Sequence, residues 1–294
     1  MMSRRQILGL FGSGLVCRFV PSVAAAPASR PAGRKARSKG GLTTIAYNIY
    51  KCTGWPPALA AKRLGNVKQH VPERLALELA AYKPDIVNFA EAPTEPVVRR
   101  IAERLGMNHV FFRSGEAWPG AILTRFDIAD HRNCPLIKGR RPKPLFTRHW
   151  GRATIKTGRP FGDVVVHSAH LHPANPVVRK MEVLEVIKAL TPDVEAGRSV
   201  ILQGDLNHSP RMPSYKLWMK TGLTDTQAAA GHADQLTINA RRPRLRIDYV
   251  LAAGPIAERV KDARALFEGA FRTNPDDRSS FALSDHLPVL ARFE

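Results

Sequence analysis

Cysteine is scarce in this chain, with residues 17, 52 and 134 the only three among 294. So few thiols exclude a disulfide-stapled scaffold and leave a zinc centre short of its favoured sulfur ligands. Acidic residues are also in short supply: 25 Asp and Glu face 45 Lys and Arg, a net charge of +20. A field of that sign attracts polyanions, whether nucleic acid, anionic lipid or phosphorylated small molecules. The apolar run from Ile7 to Cys17 falls short of the roughly 20 residues that a spanning helix needs. Internal repeats are missing too, as is any second linker after residue 41. What remains is ordinary. Hydrophobic residues make up 44% and charged residues 24%, a globular balance with enough apolar mass for a sizeable core.

The N-terminus carries the pattern of an export signal. Arg4 and Arg5 precede the apolar run, and Ala24-Ala25-Ala26 suits A-x-A cleavage, so residues 1–26 are expected to be a signal peptide. Ser3-Arg4-Arg5-Gln6-Ile7-Leu8 resembles a twin-arginine signal, although Arg18 interrupts the apolar region. Val16 before Cys17 argues against a lipoprotein signal. Cleavage after Ala26 removes three arginines and no acids, which lowers the charge from +20 to +17. The mature protein is then expected to be periplasmic or extracellular, monomeric and without a membrane span. Its remaining cysteines, Cys52 and Cys134, either form one disulfide or stay as two buried thiols. Residues 27–41 are Pro, Ala, Ser, Gly and basic, with nothing large to bury, and read as a disordered basic linker.

From Leu42 onward strand-like and helix-like segments alternate, predicting one α/β domain over 42–294. Strands are expected at Leu42–Asn48, Asp85–Phe89, Ala121–Leu123, Ala153–Ile155, Val164–Ser168, Ser199–Gln203, Arg246–Ala252 and Leu287–Arg292. Helices are expected at Glu73–Tyr82, Glu95–Leu105 and Val177–Leu190. The last has Met181, Leu184 and Ile187 on one face and Pro192 after it.

Polar residues gather at the ends of the apolar runs. Ile45-Ala46-Tyr47 leads into Asn48, Ile86-Val87-Asn88-Phe89-Ala90 into Glu91, and Val164-Val165-Val166 through Ser168 to His170. Val200-Ile201-Leu202 ends in Gly204-Asp205-Leu206-Asn207, Arg246-Ile247 carries Asp248-Tyr249, and Ser284-Asp285-His286 precedes Leu287-Pro288-Val289. Strand ends hold side chains rigidly, which is where a pre-organised site is built. Glu91, Asp205, Asp248 and Asp285, brought together, either raise their pKa values or gather a cation. Oxygen ligands, with amides from Asn48 and Asn207, suit Mg²⁺, Mn²⁺ or Ca²⁺. Each motif alone is weak. A fixed tripeptide such as Ser-Asp-His arises by chance in roughly one chain of this length in thirty, Gly-Asp-x-Asn can be a plain turn, Asp248 can pair with Arg246, Glu91 can cap a helix, and His170 can be a core histidine. Six motifs in one order, each at an apolar strand's end, are another matter.

That order resembles the endonuclease/exonuclease/phosphatase superfamily, and Gly120-Ala121-Ile122-Leu123-Thr124-Arg125 is similar to a family strand. The resemblance covers nearly all of 42–294. It implies a four-layer sandwich, two packed mixed β-sheets flanked by helices, with the site at one edge. It also implies roles. Glu91 is the chief metal ligand, helped by Asn48 and Asp285, with Mg²⁺ the expected ion and Mn²⁺ or Ca²⁺ as substitutes. His286, paired with Asp248, contacts the phosphate and serves acid–base catalysis. Asp205 orients or deprotonates water, Asn207 holds the water or a phosphate oxygen, and His170 donates to the phosphate. Elementary chemistry agrees: hydrolysis needs an activated water, neutralised oxygens and a stabilised leaving oxygen. Two departures narrow the choice. Ala90 stands where many members carry Gln, and His170 where apurinic endonucleases often carry Tyr, which argues against an abasic-site enzyme. The long apolar hairpin of a membrane-engaging sphingomyelinase is missing as well.

The expected function is therefore a metal-dependent hydrolase of phosphate esters, foremost an exported nuclease acting on nucleic acid. The alternative is a phosphatase or phosphodiesterase acting on a small phosphorylated molecule or lipid head group. For the nuclease, Arg140, Arg141 and Lys143, then Arg241, Arg242 and Arg244, are candidates to flank a groove. Trp55, Trp118 and Trp150 either stack on bases or fill the core. His172 and His208 lie beside the site in sequence, as ligands or as loop residues.

Overall fold

The computed structural model describes residues 40–135 and 141–294. The proposed signal peptide, Cys17, nearly all of the linker and Arg140 lie outside the described residues. Among the described residues, twelve strands and six α-helices alternate. The strands are β1 (Leu42–Asn48), β2 (Ile86–Ala90), β3 (Asn108–Phe112), β4 (Gly120–Thr124), β5 (Asp127–Asn133) and β6 (Trp150–Gly158), then β7 (Gly162–His170), β8 (Ser199–Asp205), β9 (Thr224–Asp225), β10 (Asp248–Ala253), β11 (Val260–Ala265) and β12 (Val289–Phe293). The helices are α1 (Pro57–Leu64), α2 (Val67–Ala81), α3 (Glu95–Leu105), α4 (Pro176–Glu195), α5 (Pro213–Lys220) and α6 (Thr226–Ala229).

The strands form two six-stranded sheets, ordered β11-β12-β1-β2-β4-β3 and β5-β6-β7-β8-β10-β9. Each is mixed: β1–β2 and β7–β8 run parallel at the sheet centres, while the outer pairs run antiparallel. Strand periodicity sorts the side chains into layers. On β2, Val87 and Phe89 point outward to a core shared with Leu75 and Leu79 of α2 and Val98 and Ile101 of α3. Its Ile86 points inward, to the layer that Ile122, Val164, Val166, Ile201 and Val250 fill between the sheets. Val200 and Leu202 of β8 face outward again, against Val183, Val186 and Leu190 of α4 and Trp218 of α5. This is the expected four-layer sandwich of two mixed sheets flanked by helices. Each such side chain withdrawn from water contributes about 1.5–3 kcal/mol.

The helices depart from the sequence reading in three ways. Helix α2 starts at Val67 and runs through Pro72, and α4 passes Pro192 to end at Glu195. The buried face of α4 is Val178, Glu182, Val183, Val186 and Leu190, whereas Met181 and Leu184 are exposed. Apolar residues on both sides of α4 made the face ambiguous. Strand β10 begins at Asp248, so Arg246 sits in the preceding turn. Cys52 and Cys134 are free thiols, the first in the α1–α3 core and the second beside α4. Among the described residues no helix is long and apolar enough to cross a membrane.

Candidate active site

The two parallel pairs end side by side. Asn48 of β1 is in register with Ala90 of β2, and His170 of β7 with Asp205 of β8. Antiparallel β10 starts opposite, with Asp248 level with Asp205. The Ser284–His286 segment enters the same edge before β12, which returns along β1 with Val289 opposite Ala46. Topology alone thus carries Asn48, Glu91, His170, Asp205, Asp248, Asp285 and His286 to one end of the sandwich.

Backbone geometry fixes them there. Glu91 (φ 49°) and Asn207 (φ 52°) adopt left-handed conformations that cost non-glycine residues about 1–3 kcal/mol. The Glu91 turn is pinned on both sides: Ile49 N donates to Ala90 O (3.0 Å), Lys51 N to Glu91 O (2.8 Å) and Ala92 N to Pro119 O (2.8 Å). Gly204 takes φ 136°, and a Cβ there would collide with the Ala169 carbonyl of β7. Glycine is required for β7 and β8 to close up immediately before Asp205. Ser284 Oγ donates to Asn48 O (2.6 Å) and accepts from His286 N (3.1 Å), which locks the Ser-Asp-His segment to the end of β1.

The side chains interlock. His286 Nδ1 lies 2.9 Å from Asp248 Oδ2, and its Nε2 faces Asp205 Oδ2 (3.8 Å) and Asn48 Nδ2 (3.4 Å). Asn48 Nδ2 donates to Asp205 Oδ2 (3.0 Å) and Glu91 Oε1 (3.2 Å), while its Oδ1 accepts from Tyr50 N (3.2 Å). Asn48 therefore bridges the carboxylates as a donor, and ligation of an ion through Oδ1 requires its amide to turn over. His170 Nε2 stands 3.6 Å from Asp205 Oδ2. Asn207 closes the set, with its N–H on Asp205 Oδ1 (3.0 Å) and its Nδ2 on Leu171 O (2.9 Å). Asp285 is half-buried, with its Oδ1 3.3 Å from Ser284 Oγ.

Burial and crowding of charge set the electrostatics. Burial, then the Asp248 charge, raise the Asp205 carboxyl, and burial raises Glu91. Burial alone would depress the His286 imidazole, yet the Asp248 carboxylate bonded to it, with Asp205 and Asp285 nearby, lifts it to about 10. His170 is driven well down by burial and by neighbouring His149 and Arg148, so it is neutral. Among the buried polar atoms of these site residues, Glu91 Oε2, Asp248 Oδ1 and His170 Nδ1 have no partner. Unpaired buried carboxylate oxygens are costly, and here they border a group of acids, a donor set that fits a hard divalent cation. Asp205, Asp248 and His286 themselves present ligand atoms within 4.8 Å of one another.

The structure decides several alternatives that the sequence left open and corrects the groove role expected of Arg141. Arg246 does not pair with Asp248. Its guanidinium makes a two-pronged bond with Asp225 (2.7 and 3.1 Å) and lies over the Tyr249 ring, while Tyr249 Oη donates to His208 O (2.7 Å). Asp225 also caps α6, so Arg246 and Tyr249 of the Arg-Ile-Asp-Tyr motif anchor the turn that aims Asp248. Trp150 is buried in a stack on Phe146 and has no face for a base. Arg141 is bonded inward to Asn133 Oδ1 (3.2 Å) and Phe146 O (3.4 Å), which commits its guanidinium to the protein's own acceptors. His208 accepts from Trp218 Nε1 (2.8 Å), and His172 Nδ1 from Asn175 N (3.0 Å), so both are structural. Two rim cations, Lys51 and Arg148, were missed. Trp118 is half-exposed, with Lys51 Nζ 3.7 Å and the Arg148 guanidinium carbon 5.4 Å from its ring centroid. Lys51 adjoins the Glu91 turn, but no local motif marks it.

Fold and site together define a hydrolase of phosphate esters. The sequence matches the Endonuclease/Exonuclease/phosphatase family over residues 45–286, and the chain belongs to that family. Comparison with curated protein sequences gives no match. Among solved structures, an endonuclease/exonuclease/phosphatase family protein from Bacteroides thetaiotaomicron aligns with 88% of this chain and 100% of its own, at TM-score 0.70 and 18% identity. The mannosyl-6-phosphatase of Bacteroides thetaiotaomicron aligns at TM-score 0.69 and 19% identity, covering 85% of this chain and 98% of its own. Truncated Caenorhabditis elegans TDP2 aligns at TM-score 0.62 and 18% identity, over 86% and 97%. At such identities the likeness is one of fold.

Proposed function

We propose that this protein is a metal-dependent phosphodiesterase that hydrolyses nucleic acid. The observation that carries the reaction is the Asp248–His286 pair, bonded at 2.9 Å, with the free face of the imidazole turned to Asp205. Asp248 fixes the ring and favours its charged form. His286 then neutralises a phosphate oxygen and holds a proton for the departing oxygen. Asp205 orients the attacking water and accepts its proton at a carboxylate oxygen, steadied by Asn48 and by the Asn207 N–H. Neutral His170 donates one hydrogen bond to the phosphate. Glu91 and Asp285, with Asn48 beside them, are the residues that would hold Mg²⁺, Mn²⁺ or Ca²⁺. When bound, such an ion supplies positive charge to the phosphoryl oxygens.

Substrate class rests on charge. A surplus of +20 rewards a substrate with many phosphates. The full-length protein, incubated with plasmid DNA, RNA and a phosphomonoester panel in Mg²⁺ or EDTA, tests this reading. Strand cleavage that falls steeply with salt supports it. Steady hydrolysis of a phosphorylated small molecule with nucleic acid untouched decides for the phosphatase alternative. Export is part of the same proposal, supported by residues 1–26. Recovery of protein beginning after Ala26 from outside the cytoplasm supports export, and only full-length protein inside the cell contradicts it.

A further inference from the structure

Beside the reacting centre lies a second concavity, of about 360 Å³, lined by Trp55, Asn239, Arg241, Arg242 and Arg244. Both of its walls hang from the segment that carries Asp285 and His286. Trp55 exchanges two backbone hydrogen bonds of 2.8 Å with Ala282. On the other wall Ile238 forms a β-bridge with His286, and Ala240 N donates to Asp285 O (2.7 Å). A ligand in this groove therefore sits on the same framework as the catalytic histidine.

The lining has a definite chemistry. Asn239 Oδ1 accepts from the backbone N–H groups of Arg241 (3.2 Å) and Arg242 (3.0 Å), a tight turn that leaves both side chains outside. Arg241, Arg242 and Arg244 are exposed, and none forms an ion pair with a described carboxylate. The contrast with Arg246, locked onto Asp225 two residues later, is sharp. Three like charges around one hollow are relieved by an anion, and guanidinium forks match phosphate oxygens. Trp55, half-buried, adds a flat ring to the wall. The volume lies at the small end of the roughly 300–1,000 Å³ range of ligand pockets, suited to one nucleotide unit.

We propose that this groove is a second subsite for a single-stranded nucleic-acid substrate. The phosphate next to the scissile one sits among Arg241, Arg242 and Arg244, and an unstacked base rests on Trp55. The inference depends on the nuclease reading and sharpens it to strands whose bases are free. A substrate with one phosphate and no ring has nothing to place there.

Binding tests it separately from turnover. A labelled single-stranded oligonucleotide is titrated against the His286→Ala protein by fluorescence anisotropy at several salt concentrations. The titration is repeated with Arg241→Ala, Arg242→Ala and Arg244→Ala added, and with a control that replaces Lys156, Arg159 and Lys261 by Ala. These three are exposed at the opposite end of the sheets. The arginine triple is expected to weaken binding at least about tenfold and to lower the slope of log K against log salt by about 2, as loss of three strand contacts requires. The control is expected to shift both far less. Trp55→Leu should weaken binding, with Trp55→Phe restoring most of it. Equal affinity and slope for the arginine triple and the control, or no oligonucleotide binding at all, overturns the subsite. Absence of wild-type cleavage of the same oligonucleotide, with binding still lost in the arginine triple, overturns the nuclease reading instead.

Discussion

His286 Nδ1 lies 2.9 Å from Asp248 Oδ2, and the two residues arrive from opposite directions: Asp248 opens β10 of one sheet, and His286 precedes β12 of the other. The pair is thus a tie between sheets as well as a chemical unit. Asp248→Asn and His286→Gln are each expected to lower kcat by about 100- to 10,000-fold. The double variant should fall little below the worse single one, because the two act together. Steady-state kinetics on a phosphodiester checks this, and multiplicative losses would show two independent roles.

Glu91 leaves Oε2 without a partner although it is buried. Chelation is expected to stop turnover, and Glu91→Gln to raise the Mg²⁺ concentration for half-activation at least about tenfold. Asp285→Asn should act in the same direction. Activation curves that are identical for wild type and Glu91→Gln would remove Glu91 from the metal site.

The Arg246–Asp225 ion pair is buried on both sides. Removing one partner strands the other charge, so Asp225→Ala is expected to destabilise the fold by about 3–5 kcal/mol in urea titrations. The loss includes the cap of α6. Arg246→Lys should keep the charge but lose the fork, giving a smaller loss. A change below about 1 kcal/mol for Asp225→Ala would make the pair incidental.

Burial holds His149, His167 and His208 down to about 3 each. These imidazoles are neutral in the folded protein but take up protons near pH 6.5 once unfolded. The unfolded chain therefore binds more protons from about pH 6.5 down to about 3, and stability is lost as pH falls through that window. Each histidine adds at most about 1.4 kcal/mol per pH unit, and the raised carboxyls of Glu91, Glu182 and Asp205 offset part of it. His167→Gln keeps an acceptor for Trp150 Nε1, which bonds His167 Nδ1 at 3.3 Å. It is expected to flatten the profile by up to one proton's worth, read from urea midpoints between pH 5 and 7. An unchanged slope would contradict the neutral buried imidazole.

The site residues were legible because each closes an apolar run, and a strand's end is where a sequence switches from burial to chemistry. Asn48, Glu91, His170, Asp205, Asn207, Asp248, Asp285 and His286 converge for that reason. Residues held by partners distant in sequence were not legible. Nothing near Arg246 announces Asp225, and nothing near Lys51 announces Trp118, because those contacts exist only once the sheets pack. Strand β5 escaped notice because it is mostly exposed and carries no apolar alternation, and β11 because the two residues it buries, Ala263 and Ala265, are small. The buried face of α4 was misread because Met181 and Leu184 are as apolar as the Val183 and Val186 that pack.

Asp205 stands where both sheets, both histidines and Asn48 meet, so its replacement tests the hydrolytic centre most directly. Full-length wild type and Asp205→Asn are compared on a labelled single-stranded oligonucleotide in Mg²⁺, with thermal unfolding measured on both. The expected result is a kcat/KM at least about 1,000-fold lower for Asp205→Asn, with folding retained and oligonucleotide binding intact. Turnover by a folded Asp205→Asn protein within about tenfold of wild type would place the activation of water elsewhere.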